Sequence, residues 1–130
     1  MTPFTTPPPR VLVVDDDPDV LRTIADMVRR GGYTVLRRSR FDEAKRFIDD
    51  TPPDMLVTDV RLGAFNGLQL VLHMRLARPE GAVVVLSAWD DPVIRHDAEH
   101  AGARFLAKPV KRQDLLAALA QAAGATVETA

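Results

Sequence analysis

Cysteine is absent from the 130-residue sequence, which excludes a disulfide framework and a thiolate metal site. That absence fits a reducing cytosol, and a cytoplasmic location is expected. Long apolar runs are also missing. None approaches the roughly 18 residues a bilayer-spanning helix needs, so a soluble protein without membrane contact is expected. Charge of one sign is lacking too: 17 Lys and Arg against 18 Asp and Glu leave a formal net charge of -1. Such a balance argues neither for nor against a highly charged partner. The opening Met1-Thr2-Pro3-Phe4-Thr5-Thr6-Pro7-Pro8-Pro9 has no basic n-region and no apolar stretch, so it is not a secretory signal. Its prolines predict an extended, disordered arm over residues 1–9. Internal repeats and inter-domain linkers are not found.

What is present is an alternation of apolar runs and helical periodicity, repeated five times. Val11 to Val14 is a continuous β-branched run, as expected for a strand buried on both faces. Pro18 suits a first helical position behind Asp17 as N-cap, and Val20, Leu21, Ile24, Met27 and Val28 follow at helical spacing. Gly31 and Gly32 close that helix. Further strands are expected at Tyr33–Leu36, Met55–Thr58, Ala82–Leu86 and Arg104–Ala107. Helices are expected from about Phe41, after Asn66-Gly67, from Pro92 and around Leu115–Leu119. Five βα units indicate one α/β domain over residues 10–123, with a flexible tail at 124–130. The expected architecture is a flavodoxin-like, doubly wound sheet of five parallel strands in the order 2-1-3-4-5, with five helices.

The residues that end the apolar runs carry the chemistry. Asp15, Asp16 and Asp17 follow the first run, Asp59 the third, Ser87 the fourth, and Lys108-Pro109 the fifth. Carboxyl ends of strands in an open α/β sheet face the ligand crevice, so acids, a hydroxyl and an ammonium should converge there. Asp15, Asp16 and Asp59 would then repel one another unless a cation joins them. Hard oxygen ligands with room for water suit Mg²⁺, and the set has the makings of a metal-assisted phosphate site.

Taken in order, Val-Leu-Val-Val-Asp15-Asp16-Asp17, Asp59 with Asn66-Gly67 behind it, Ser87-Ala88 and Lys108-Pro109 resemble the receiver domain of two-component response regulators. The resemblance runs from about Arg10 to Ala122. It implies that Asp59 is the phosphoacceptor. It further implies that Asp15, Asp16, Asp59 and the backbone carbonyl of Arg61 hold Mg²⁺, and that Ser87 and Lys108 contact the phosphoryl oxygens. Phe105 stands where the family has a strand-five aromatic that turns inward on phosphorylation. The implied partners are a sensor histidine kinase or phosphotransfer protein and a downstream protein effector. The implied output surface is the fourth helix, fifth strand and fifth helix, roughly Asp90 to Ala120, with a homodimer through it as one option. Self-directed phosphotransfer and autodephosphorylation are implied, without turnover of a metabolite, so an enzyme in the usual sense is not expected. The alternative within the family is a protein-interaction module that signals without phosphate. Whether the chain stands alone or is the receiver part of a longer protein is open.

Two features depart from the family pattern. Arg61-Leu62-Gly63-Ala64-Phe65 replaces a common Met-Pro after the acceptor, and Gly63 predicts a more mobile loop. Phe105 replaces a frequent tyrosine, which removes a phenolic hydrogen bond. Arg61 and Trp89 each lie two residues past a site residue, on the rim where attacking water would approach. The Trp89 indole is expected either to obstruct that water or to dock a partner.

Three rival readings compete with this one. His96-Asp97-Ala98-Glu99-His100 matches a zinc-peptidase pattern, yet it sits on a short helix without an obvious third ligand. Arg29, Arg30, Arg37, Arg38, Arg40, Lys45 and Arg46 crowd one region with only Asp42 and Glu43 opposing, but no DNA-reading motif follows and nucleic-acid binding is not expected. A metal-dependent phosphatase of the haloacid-dehalogenase type would need an Asp-x-Asp nucleophile motif and usually a cap insertion, and this compact chain shows no room for a cap.

Overall fold

The computed structural model describes residues 7–124; residues 1–6 of the expected arm and 125–130 of the expected tail lie outside the described residues. Five strands and five helices alternate: β1 (Arg10–Val14), α1 (Pro18–Arg30), β2 (Thr34–Arg38), α2 (Phe41–Asp50), β3 (Met55–Asp59), α3 (Leu68–Ala77), β4 (Ala82–Ser87), α4 (Pro92–His100), β5 (Arg104–Ala107) and α5 (Arg112–Gly124). All neighbouring strands of the five-stranded sheet pair in parallel, in the spatial order β2-β1-β3-β4-β5. The expected doubly wound architecture is therefore observed.

The apolar runs are continuous because each strand feeds two cores. Val11 and Val13 face one side and pack with Leu21, Ile24 and Val28 of α1 and Leu115 and Leu119 of α5. Leu12 and Val14 face the other side, with Ile48 of α2, Leu70 and Met74 of α3 and Ala98 of α4. A side chain alternates faces at every residue of a strand, so a strand covered on both sides needs apolar residues throughout. Fully burying each Val, Leu or Ile contributes about 1.5–3 kcal/mol, and β3 and β4 are buried along their whole length. Among the described residues no helix is long and apolar enough to cross a membrane.

Helix starts follow local chemistry. Asp17 accepts hydrogen bonds from the backbone N–H groups of Asp19 and Val20, and Asp91 does the same for Val93 and Ile94; a proline occupies the first turn of both helices. Two expectations needed adjustment. The second strand runs Thr34–Arg38, shifted toward the carboxyl side of Tyr33–Leu36, because it pairs residue for residue with all of β1. The segment expected as an open loop after β3 folds into a two-residue antiparallel hairpin, Arg61–Leu62 against Phe65–Asn66. Gly63 makes that turn at φ +63, a left-handed conformation that side chains disfavour. Phe65 closes it by stacking on Phe41 of α2, with ring centroids 4.6 Å apart.

Candidate functional site

Strand register assembles the site. Val14 pairs with Thr58, so Asp15 and Asp59 are the next residues on adjacent strands. Asp59 pairs with Leu86 and Ser87 with Ala107, so Ser87 and then Lys108 follow, each one step further along the edge. Asp15 is 2% exposed, Asp59 8% and Ser87 2%; with Thr58 they are the buried polar residues among those described. Asp16, just off the strand, is exposed. Asp15, Asp16 and Asp59 each offer a carboxylate oxygen, and these oxygens lie within 4.8 Å of one another.

One ammonium answers the three acids. Lys108 Nζ donates to Asp15 Oδ2 at 2.7 Å and lies 3.3 Å from Asp59 Oδ1. The Lys108 backbone N–H donates to the Ser87 carbonyl at 2.7 Å, which fixes the base of that side chain. The Lys108-Pro109 peptide is cis. Burial pushes the Asp59 carboxyl above its usual range; Lys108 pulls against this and the charge of Asp15 adds to it. Burial alone would lower the Lys108 pKa, but Asp15 and Asp59 together outweigh it and hold the ammonium above its usual range. An ion pair normally depresses its acid, so the raised Asp59 carboxyl means that one ammonium does not compensate for burial beside a second carboxylate.

The remaining carboxylate oxygens brace loops. Asp15 Oδ1 accepts from the Asp17 N–H at 3.0 Å, and Asp16 Oδ2 accepts from the Gly63 N–H at 3.0 Å. The second contact ties the hairpin to the acid cluster. Gly67 is needed here for space. Its backbone is ordinary helical, at φ -60 and ψ -19, but a Cβ would lie 1.9 Å from the Asp59 carbonyl oxygen. Asn66-Gly67 announces a turn in the sequence, yet nothing local reveals that close approach. Ser87 Oγ accepts from the Trp89 N–H at 3.1 Å, and the Trp89 side chain stands 63% exposed on the rim.

The donor set of clustered carboxylates fits a hard divalent cation and offers no soft ligand. Such a strand-end crevice, with a nucleophilic carboxylate, an ammonium and a hydroxyl, can receive a phosphoryl group. The family model described as the response regulator receiver domain matches residues 11–120. The chain belongs to the response regulator receiver domain family.

This receiver domain is 37% identical over 122 residues to the transcriptional regulatory protein PrrA of Mycobacterium leprae, covering 91% of this chain and 52% of that protein. It is 33% identical over 123 residues to the acid tolerance regulatory protein ActR of Sinorhizobium medicae, covering 94% of this chain and 63% of ActR. The chain thus spans a little over half the length of these curated relatives. Among solved structures, a response regulator protein from Burkholderia pseudomallei with a phosphorylated aspartic acid, calcium ion and citrate superposes with a TM-score of 0.80 at 29% identity. That match covers 94% of this chain and 73% of the other.

The other residues singled out in the receiver sequence lie outside the acid cluster. Arg61 is exposed on the hairpin beside it. Phe105 is buried in the core between sheet and α4, with the Arg95 guanidinium 4.5 Å from its ring centroid, so any turning of that ring starts from a buried position. His96 and His100 are exposed on α4, and no third ligand of theirs joins them among the described residues, which leaves the zinc-peptidase pattern incomplete. The basic stretch is better balanced than its sequence suggests. Asp26 pairs with both Arg29 and Arg30, Asp42 with Arg40, and Asp49 lies 3.8 Å from Lys45, while Arg38 sits over the Phe47 ring.

Proposed function

We propose that Asp59 is the phosphoacceptor of this receiver domain and that phosphorylation, supported by Mg²⁺ at Asp15, Asp16 and Asp59, switches a surface for a protein partner. The observation that carries the reading is Asp59 itself: a nearly buried carboxylate at the end of β3, 3.3 Å from the Lys108 ammonium and clustered with two further acids. The Asp59 carboxylate attacks the phosphorus of a donor phosphohistidine, the phosphorus–nitrogen bond breaks, and the imidazole leaves. Hydrolysis by water later returns the carboxylate and free phosphate. The upstream donor is a sensor histidine kinase or a phosphotransfer protein.

Transfer of a phosphoryl group passes through a loose transition state with negative charge spread over three oxygens. Lys108 moves its ammonium from the Asp15–Asp59 pair onto one of those oxygens. Ser87 offers a hydroxyl to another, which requires its Oγ to exchange the Trp89 N–H for the phosphoryl group. When bound, Mg²⁺ supplies further positive charge against the same oxygens, held by the three carboxylates and the Arg61 carbonyl. Displacement of Ser87 pulls on the loop leading into α4, which biases the packing of Phe105 and the surface formed by α4, β5 and α5. The output is protein–protein contact, with no metabolite turned over and no direct contact to nucleic acid by this chain.

Intact-protein mass after incubation with acetyl phosphate, with and without Mg²⁺, tests the reading. The expected result is one added phosphoryl group in wild type with Mg²⁺ and none in Asp59→Asn. A folded wild type that gains no mass from acetyl phosphate or from a histidine kinase would overturn it and leave a phosphate-independent interaction module.

A further inference from the structure

We infer that His96 and His100 form a second, separate metal site on the exposed face of α4, one that takes a borderline divalent ion such as Zn²⁺, Ni²⁺ or Cu²⁺. The two residues are four apart in a helix, so their side chains rise on the same face one turn apart. Their imidazole rings stack, with centroids 5.8 Å apart and planes within 16° of parallel. Two imidazoles binding one ion at about 2.0–2.1 Å bring their centroids to about 5 Å, so the spacing is already suitable and rotation of the two exposed rings turns one nitrogen of each onto the ion.

The nitrogens are free to ligate. Among the described residues neither imidazole makes a hydrogen bond or an ion pair, and each is paired only with the other ring. His73 differs, because its Nδ1 lies 3.5 Å from an Asp49 carboxylate oxygen. The helix does not need the metal to form. Asp91 caps its start, Arg95 pairs with Asp90 at 2.7 Å, and Ala98 is fully buried beneath it. The two ligands are therefore presented on a preformed backbone, and binding costs little ordering. Asp97 and Glu99, both exposed on the same helix, make the surroundings favourable to a cation.

The chemistry separates this site from the acid cluster. Carboxylate oxygens suit Mg²⁺, whereas a pair of imidazoles suits later transition ions and is a poor host for Mg²⁺. Two protein ligands leave positions on the ion for water or for a donor from a molecule docked on α4. No hydrolytic role follows, since among the described residues no third ligand joins the two histidines.

The experiment is a Zn²⁺ titration of the whole chain in excess Mg²⁺, read by competition with a chromophoric zinc chelator and by thermal melting. Wild type should bind one equivalent of Zn²⁺ and melt higher with it. His96→Gln and His100→Gln should each weaken binding about tenfold or more, because the chelate becomes a single ligand. His73→Gln should bind like wild type. All three variants should melt like wild type without zinc, which checks the fold. Equal Zn²⁺ affinity in wild type, His96→Gln and His100→Gln would overturn the inference, as would a loss of binding in Asp59→Asn instead.

Discussion

The two ends of the sheet use charge in opposite ways. At the carboxyl ends, three acids face one ammonium in a nearly buried cluster, and the Asp59 carboxyl is held above its usual range. At the amino ends, cations meet backbone carbonyls instead. Arg75 of α3 donates to the carbonyls of Pro79, Gly81, Ala101 and Gly102, tying together the segments that enter β4 and β5. Arg10 and Arg78 both donate to the Pro52 carbonyl before β3, and the Arg10 N–H donates to Asp54. One end holds more acids than its one ammonium can balance, an excess that a cation would relieve; the other end directs its cations at carbonyls and leaves the Arg78 Nε buried without a partner. The difference separates the end to which the proposed chemistry is assigned from the end that braces the fold.

The largest expected effect comes from crowding the reactive end. Gly67→Ala places a methyl group 1.9 Å from the Asp59 carbonyl oxygen, and the backbone at Asp59 must move. We expect a loss of about 3 kcal/mol in denaturant unfolding and weaker divalent binding. A variant that unfolds and binds like wild type would show that the acceptor strand tolerates displacement.

Breaking the carbonyl-bonded end comes next. Arg75→Ala removes the donor to four carbonyls, and water can replace only part of it, so a loss of about 2 kcal/mol is expected with phosphorylation retained. Loss of acetyl-phosphate labelling in folded Arg75→Ala would mean the two ends are coupled rather than separate.

Removing the strain should do the reverse. With the folded pKa of Asp59 raised, the native state binds a proton in preference to the unfolded chain. Its contribution therefore turns against folding as pH rises from the ordinary carboxylate range through the folded value. Metal-free Asp59→Asn is expected to melt higher than wild type at neutral pH, with the gap closing in acid. A lower melting temperature for the variant at neutral pH would refute strain at that edge. Lys108 behaves conventionally: its pairing stabilises the fold at neutral pH and is lost only in alkali, as pH rises through its raised value.

Two smaller effects sharpen the picture of the rim. Phe65→Ala removes the stack on Phe41 that closes the hairpin; about 1 kcal/mol is expected, measured by chemical denaturation. Trp89→Ala should leave the melting temperature unchanged, since its side chain is 63% exposed, but should speed loss of the phosphoryl group if the indole obstructs water. An unchanged dephosphorylation rate would leave Trp89 to partner docking.

Much of this is legible in the sequence. Continuous apolar strands, Asp17-Pro18 and Asp91-Pro92 at helix starts, and glycines at helix ends are local signals, and they fall where the elements begin and end. The polar residues that terminate each strand identified the crevice, because parallel βα topology sends every strand end to the same side. What local pattern could not decide is contact across long stretches of chain. Lys108 meets Asp15 from 93 residues away, and only the register of β1, β3, β4 and β5 sets that 2.7 Å contact. The same holds for the Asp16 carboxylate holding Gly63 and for the Ala101 and Gly102 carbonyls gathered by Arg75. Periodicity and turn chemistry act within a few residues, so they settle elements and their ends. Charge balance, close approach and the freedom of the His96–His100 pair are properties of the packed molecule, where distance along the chain no longer measures distance in space.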